Sequence, residues 1–278
     1  MKDLLEIAEN IQLGKDGIYF AKTHSKISYP EEGNVNCFQL EQDSFWFNHR
    51  NKVILEAVNT YSKNKTFFDI GGGNGFVAKG LQENGQDVVL IEPGVQGAKY
   101  AKLRNVNQVI CATLEDAHFK KESIDSAGMF DVVEHIEDDL GFLKNIHTYL
   151  KKDGIVYISV PAFNLLWSNE DDDAGHFRRY TLKTAEQVLI KAGFKPLYST
   201  YFFSPLVLPI FLFRSIPSKL RVKRKSHDLK KYQKEHQQRG GIVNALLERV
   251  WKWELKRIKN KKRIPFGSSC FLIAQKNK

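Results

Sequence analysis

From Thr66 onward, short apolar runs alternate with stretches whose apolar residues return every three or four positions. TFFDI (66–70), DVVLIEP (87–93), QVICATL (108–114), IDSAGMF (124–130), GIVYISVP (154–161), KPLYSTYFF (195–203) and SSCFLIAQK (268–276) read as strands. Between them, Phe76–Asn84, Val95–Arg104, Asp138–Lys151 and Leu182–Ala192 read as helices, the last closing on Gly193. Strands that alternate with helices predict an α/β fold with a parallel, doubly wound sheet.

Upstream, MKDLLEIAENIQ has the pattern of a mildly acidic amphipathic helix, and SFWFNHRNKVILEAVNTY (44–61) that of a helix running into the first strand. A long segment separates the sixth strand from the last. It opens with SPLVLPIFLFRSIP, passes through RVKRKSHDLKKYQKEHQQRGG and ends in a helix from Ile242 to Lys259. Three regions are therefore expected: a helical or lid segment over 1–65, a core over 66–203 plus 266–278, and an apolar–basic insertion over 204–265.

Charge divides the chain in the same place. Residues 1–200 hold 22 Lys and Arg against 28 Asp and Glu, whereas residues 201–278 hold 20 against 4, so the net +10 belongs to the last quarter. Such a split predicts a catalytic body with a segment that meets an anionic surface. Cys37, Cys111 and Cys270 form no CxxC pair and no even framework, which points to a reducing cytoplasmic compartment. The first residues lack the basic start and apolar stretch of a signal peptide.

The stretch FFDIGGGNGF (67–76) sets Gly71, Gly73 and Gly75 after a strand that ends near Asp69. This is G-x-G-x-G with Phe76 next, not the G-x-G-x-x-G of a dinucleotide loop, and no G-K-[ST] follows. Glycines here let a backbone approach a ligand, though a tight strand–helix turn would use them as well. Glu92, at the end of the next strand, is placed to accept hydrogen bonds from a ribose diol.

FFDIGGGNGF, VVLIEPG and MFDVVEHIED together resemble class I S-adenosylmethionine-dependent methyltransferases, and more closely the type 11 group that includes ubiquinone-biosynthesis O-methyltransferases. The resemblance runs from about Phe45 to Tyr201. It implies a Rossmann-like doubly wound, mostly parallel seven-stranded sheet with an antiparallel last strand. It also implies S-adenosylmethionine as cofactor. Gly71, Gly73 and Gly75 would meet its methionine part, Asp69 its ammonium, and Glu92 its ribose, with Pro93 under the adenine. Thr113 and Leu114 would line the adenine pocket; Met129, Phe130 and Asp131 would end the fourth strand beside the sulfonium. The segment ATLED lacks the G-D pair of many relatives, so no carboxylate is assigned to the adenine amine.

Methyl transfer needs two aligned reactants and, for a hydroxyl acceptor, a base. His135, just past the fourth strand, reads either as a base or acceptor-positioning residue, or as a residue that packs on the cofactor or caps the next helix. LWSNEDDDAGHFRRYT (166–181) crowds Trp167, four acids, His176, Arg178, Arg179 and Tyr180 into one loop after the fifth strand. His176 is the first candidate base. Arg178 or Arg179 would grip an anionic acceptor, with Trp167 and Tyr180 beside them. Asp171–Asp173 read as a solvated acidic turn, and no metal site is expected from Asp172, Asp173 and His176, because methyl transfer needs none. Phe45, Trp46 and His49 are expected as a lid, with Trp46 touching acceptor; packing on the sheet is the plainer reading. GHFRRYT is also similar to methyltransferases of cell-envelope saccharides or lipids.

Pro196–Phe213 carries no charge, but Pro205 and Pro209 break it, so a kinked apolar wedge flanked by basic residues is expected rather than a membrane span. The helix from Ile242 brings a basic amphipathic pattern, or else a core-covering face with solvated lysines. Acceptors at or near an anionic membrane rank above nucleic acid: the chain has D-V-V-E where base N-methyltransferases carry N/D-P-P-Y, and no cysteine stands by the fourth or fifth strand. The expected activity is methylation, through oxygen, of a small or lipid-linked acceptor, a cell-envelope saccharide or quinone-like compound, by a cytoplasmic enzyme at the inner membrane surface. The rivals are an RNA-modifying enzyme and a catalytically silent cofactor-binding module.

Overall fold

The computed structural model describes residues 3–22, 38, 40–62, 65–221 and 242–277, with the side chains of 242–244 left aside. Strands β1 (Ile11–Leu13), β2 (Tyr19–Ala21), β3 (Phe67–Ile70), β4 (Val88–Ile91), β5 (Gln108–Cys111), β6 (Ile124–Phe130), β7 (Leu150–Pro161), β8 (Phe194–Phe202) and β9 (Ser269–Lys276) form one sheet. Their spatial order is β1-β2-β5-β4-β3-β6-β7-β9-β8. The contiguous run from β5 to β8 contains the seven expected strands: β5, β4, β3, β6 and β7 pair in parallel, and β9 runs antiparallel between β7 and β8.

Two strands were not expected. Residues 11–21 form a hairpin, not a helix, and β2 adds in parallel to β5 through Tyr19 and Phe20. The helical expectation for residues 1–12 is corrected, since 4–10 form turns, bends and a bridge of Ala8 to Phe119, and the 1–65 segment expected as helical or lid carries two strands: each is only three residues long, too short for a period of two to show against an apolar–polar pattern. Another boundary that moves is at Lys151, which belongs to β7 and not to the preceding helix.

Helices α1 (Phe45–Tyr61), α2 (Phe76–Glu83), α3 (Val95–Leu103), α4 (Asp139–Tyr149), α5 (Asn169–Ala174), α6 (Leu182–Lys191) and α7 (Ile242–Lys259) complete the fold. Successive strand residues point to opposite faces, and the core divides accordingly. Phe67, Val88, Leu90, Tyr157, Phe271 and Ile273 pack with α1, α2, α3 and α7. Phe68, Val89, Ile91, Val156, Ile158 and Leu272 pack with α4 and α6. Both faces are covered, so the strands read as nearly unbroken apolar runs.

The insertion leaves the sheet after Phe203 as a helical run: Ser204–Leu206, Val207–Ile210, Phe211–Ser215 (an i→i+5 turn) and Ile216–Lys219. It returns through α7. Glu254 of α7, fully buried, clamps the departure point: it accepts from the backbone N–H of Phe203 (3.1 Å) and Ser204 (2.7 Å), from Ser204 Oγ (2.6 Å), and bonds His49 Nε2 of α1 at 2.8 Å. No helix of the described residues is long and apolar enough to cross a membrane. The basic stretch RVKRKSHDLKKYQKEHQQRGG and Cys37 lie almost wholly or wholly outside the described residues.

Candidate active site

The carboxyl ends of β3, β4 and β6 meet at one edge of the sheet, where an open α/β fold keeps its ligand crevice. After β3 the chain turns through Gly71–Gly75 and starts α2. Gly75 is the N-cap in the left-handed region (φ 74°), and a Cβ there would lie 2.8 Å from Ala101 Cβ of α3. A Cβ on Gly72 would sit 2.8 Å from Asp69 Oδ2. Only glycine keeps this loop both tight and clear of the Asp69 carboxylate.

Asp69 is 1% exposed, and its Oδ2 has no hydrogen-bond partner among the described residues. Burial, aided by the charge of Glu92 and opposed by Arg50, pushes its pKa up to about 7. Glu92 is also buried. Its Oε2 accepts from the Gly73 N–H (2.9 Å) and its Oε1 from the Gly94 N–H (2.7 Å), so it ties the glycine loop to the end of β4. Burial raises its pKa against those two bonds. Each oxygen keeps a second acceptor position for a ligand hydroxyl. Asp69, Gly71, Gly73, Gly75 and Glu92 are thus brought together as expected from the sequence.

The rest of the expected cofactor set divides. Pro93 is half-buried and its carbonyl faces Cys111 Sγ at 3.7 Å. Thr113 Oγ1 accepts from Asp116 N–H and so caps a turn, while Leu114 is buried in the core. Met129 and Phe130 are buried on opposite faces of β6, Phe130 stacked with Phe67. Asp131 follows with φ 58°, its Oδ1 accepting from Ser159 Oγ at 3.2 Å and its Oδ2 bonded to Arg50 Nη1.

Arg50 was not anticipated. It reaches from α1 to Asp131 and stacks over Trp46 (4.7 Å) and Phe47 (5.3 Å). Its spacing of four from Trp46 on one helix face was the available signal. The lid expected from Phe45, Trp46 and His49 is corrected in part by what these residues touch. Trp46 stacks on Phe203 (5.4 Å), Phe45 on Trp251 (6.3 Å), and buried His49 lies against Trp251 (4.4 Å). They join the sheet's leading helix to the insertion.

A second cluster lies in the loop between β7 and α6. His176 Nδ1 is 2.8 Å from Asp171 Oδ1. Arg179 clasps the same carboxylate through Nε (2.7 Å) and Nη2 (2.9 Å). Asp171 is 1% exposed. Burial works against its charge, but the bonds from His176 and Arg179 prevail and hold its pKa down at about 2. The reading of Asp171–Asp173 as a solvated turn is therefore wrong for Asp171 and right for exposed Asp172 and Asp173. The pattern Ser168-x-x-Asp171, a capping box at the start of α5, was the sequence signal for it.

The rings of His135 and His176 meet edge to face at 4.7 Å. Burial, followed by the charge of His176, lowers the pKa of His135 to about 4. Glu134 is 1% exposed, its Oε2 has no hydrogen-bond partner among the described residues, and burial, then Asp131, pushes its pKa well up. Ligand atoms of Glu134, His135 and His176 lie within 4.8 Å of one another, so these three could hold a cation; the trio with Asp172 and Asp173 is not the one assembled.

The acceptor-gripping residues are occupied by the protein itself. Arg178 pairs with Asp139 at 2.9 Å, Tyr180 OH donates to the same carboxylate at 2.7 Å, and Trp167 Nε1 donates to Asp172 at 3.0 Å. With Arg179 spent on Asp171, the expectation that Arg178 or Arg179 holds an anionic acceptor is not met by their geometry: both guanidinium groups brace the loop.

Around the crevice stand Asp69, Glu92, Asp131 and Glu134, opposed by Arg50. Asp69, Glu92 and Glu134 are buried and Asp131 is half-buried, and carboxylates in such excess suit a cationic ligand.

A family model described as "Methyltransferase domain" matches residues 46–199. A ubiquinone biosynthesis O-methyltransferase from Colwellia psychrerythraea is 24% identical over 117 residues, covering 38% of this chain and 48% of that protein. A probable S-adenosylmethionine-dependent methyltransferase from Mycobacterium tuberculosis is 22% identical over 177 residues, 63% of this chain and 64% of the relative. The chain thus spans less than two thirds of the length of these relatives. Among solved structures, phosphoethanolamine N-methyltransferase 2 of Haemonchus contortus in complex with S-adenosyl-L-methionine superposes with TM-score 0.56 at 17% identity, over 94% of this chain and 62% of that one. A possible histamine N-methyltransferase from Thermotoga maritima gives 0.53 at 18%, over 88% and 96%. At these identities the superpositions speak for the fold.

Proposed function

Since the chain belongs to the methyltransferase-domain family, we propose that it transfers a methyl group from S-adenosylmethionine to a hydroxyl of a small or lipid-linked acceptor, at an anionic membrane surface that the 204–265 insertion meets. One observation carries the cofactor assignment: Asp69 holds a carboxylate oxygen, unpartnered among the described residues, in a buried position beside the glycine loop. An ammonium group supplies what that oxygen lacks. The ribose diol fits the remaining acceptor positions of Glu92, and the surplus of carboxylates suits a ligand with two positive centres.

When bound, the cofactor supplies an electrophilic methyl on a charged sulfur. The protein's own part is to align and to move one proton. Asp171 keeps a hydrogen on His176 Nδ1, which leaves Nε2 as the basic nitrogen that takes the acceptor's hydroxyl proton. Arg179 fixes Asp171. His135, neutral at ordinary pH with its pKa at about 4, packs against His176 and adds no competing charge.

A second reading is favoured by the unpartnered Oε2 of Glu134. Glu134, His135 and His176 would hold a divalent cation, which would make the acceptor hydroxyl acidic in place of a base. Two imidazoles and a carboxylate suit zinc, manganese or iron. Turnover insensitive to chelator, with no thermal shift on adding Zn²⁺ or Mn²⁺, leaves the base reading standing; loss of turnover restored by metal favours the cation.

The acceptor is identified by metabolite and lipid profiling of a strain lacking the protein. A hydroxylated species lighter by one methylene than its normal form should accumulate. An unchanged profile, with RNA nucleosides undermethylated instead, would replace the proposal.

A further inference from the structure

We propose that the insertion docks on an anionic phospholipid bilayer with the His176 loop (166–181) facing the lipid, so that the membrane side and the proposed acceptor side of the molecule are the same. This rests on the reading of the chain as a methyltransferase with a membrane-borne acceptor, and it adds an orientation.

The helical run after Phe203 exposes apolar side chains. Leu208 is 63%, Phe213 62% and Leu220 71% exposed, and Leu212 is also exposed. No acid occurs between Glu186 and Asp228, whereas Arg214 and Lys219 fall in the run and Arg221, Lys223, Arg224 and Lys225 follow it in sequence. Apolar side chains among basic ones are the complement of anionic headgroups over acyl chains. RNA would reward the charge but leave the leucines in water.

α7 has the same character on its outer face. Trp251, Glu254 and Ile258 point inward and are buried, whereas Leu246 and Trp253 are exposed beside Arg249, Lys252 and Lys256. Arg257 lies over the Trp253 ring at 5.3 Å, an apolar plate with a cationic rim.

The orientation follows from what the run touches. β8 is parallel to β7, since both are antiparallel to β9, so the insertion leaves the sheet at the edge that carries the ligand crevice. It then packs against the loop that holds His176. Ser218 Oγ donates to Asn169 Oδ1 at 2.7 Å, Arg214 Nε lies 3.8 Å from Glu170, and Lys219 Nζ donates to the Leu165 carbonyl at 3.4 Å. Leu165 is itself 60% exposed. Glu254 fixes the base of the insertion to α1 and to the sheet, so it cannot swing independently of the crevice.

The test uses the full chain and vesicles of phosphatidylcholine with or without phosphatidylglycerol. Sedimentation should require phosphatidylglycerol and weaken with salt, and Leu212→Asp with Phe213→Asp should lower partitioning at least tenfold. S-adenosylmethionine binding by calorimetry should be unchanged in that variant, which separates loss of docking from loss of the fold or of the cofactor reading. Orientation is read in a Cys37→Ser background with an environment-sensitive dye on Leu165→Cys or on Leu103→Cys. Leu103 ends α3 at the opposite edge of the sheet and is also exposed. The dye at 165 should shift to the blue on vesicles and the dye at 103 should not. Equal sedimentation of the double variant, binding to single-stranded RNA but not to vesicles, or a shift at 103 alone would each overturn the proposal.

Discussion

Nδ1 of His176 lies 2.8 Å from Oδ1 of Asp171, and the carboxylate is held in turn by Arg179. The imidazole therefore has Nδ1 fixed, which leaves Nε2 for the base role proposed above. His176→Ala should lower kcat by about 10²–10⁴-fold while leaving S-adenosylmethionine affinity within about twofold, as read by calorimetry beside steady-state kinetics. A matching loss of cofactor affinity would make His176 a binding residue instead.

Asp171→Asn removes the charge that Arg179, 10% exposed in its side chain, was buried against. The predicted outcome is a kcat loss together with destabilisation by about 3–5 kcal/mol, measured by urea denaturation. Unchanged stability would mean that water already screens the pair.

Asp69, with its pKa at about 7 in the cofactor-free protein, is largely protonated at pH 5. An ammonium ligand favours the ionised form, so S-adenosylmethionine affinity should rise with pH, by up to about tenfold per unit, and level off above about 7. Asp69→Asn should bind weakly at all these values and lose the dependence. The same group predicts a stability trend. Its pKa is raised above the ordinary 3.8, so the folded form holds the extra proton between those values, and the cofactor-free protein loses stability as pH rises through that window. Thermal melts with and without cofactor should diverge as the pH increases.

Much of this site was legible in the sequence, because it is local. The glycine loop, Asp69 and Glu92 stand at the ends of two strands whose apolar runs announce burial on both faces, and parallel pairing forces those ends together. The hairpin of residues 11–21 was hidden by its length. Pairings across long stretches of chain were hidden too. His49 with Glu254 and Arg50 with Asp131 each require knowing which helix lies on which strand, and nothing in either segment alone specifies its partner. Asp171 was masked by its neighbours: in a run of acids, exposure is the ordinary expectation, and only the capping box set it apart.

Glu254→Ala should be severe for a residue so far from the chemistry. It leaves buried His49 and the N–H groups of Phe203 and Ser204 without their acceptor, a cost of about 3–5 kcal/mol. Denaturation should report it, and protease cleavage within 204–221 should accelerate. A change below about 1 kcal/mol would show that the clamp contributes little.

The seat formed by the glycine loop, Asp69 and Glu92 is tested most directly by titrating S-adenosylmethionine into the purified protein at pH 7.5 in a calorimeter, beside Asp69→Asn. One site per chain should saturate at micromolar concentrations and weaken by at least tenfold in the variant. No heat up to millimolar ligand, or equal affinity in the two proteins, would contradict it.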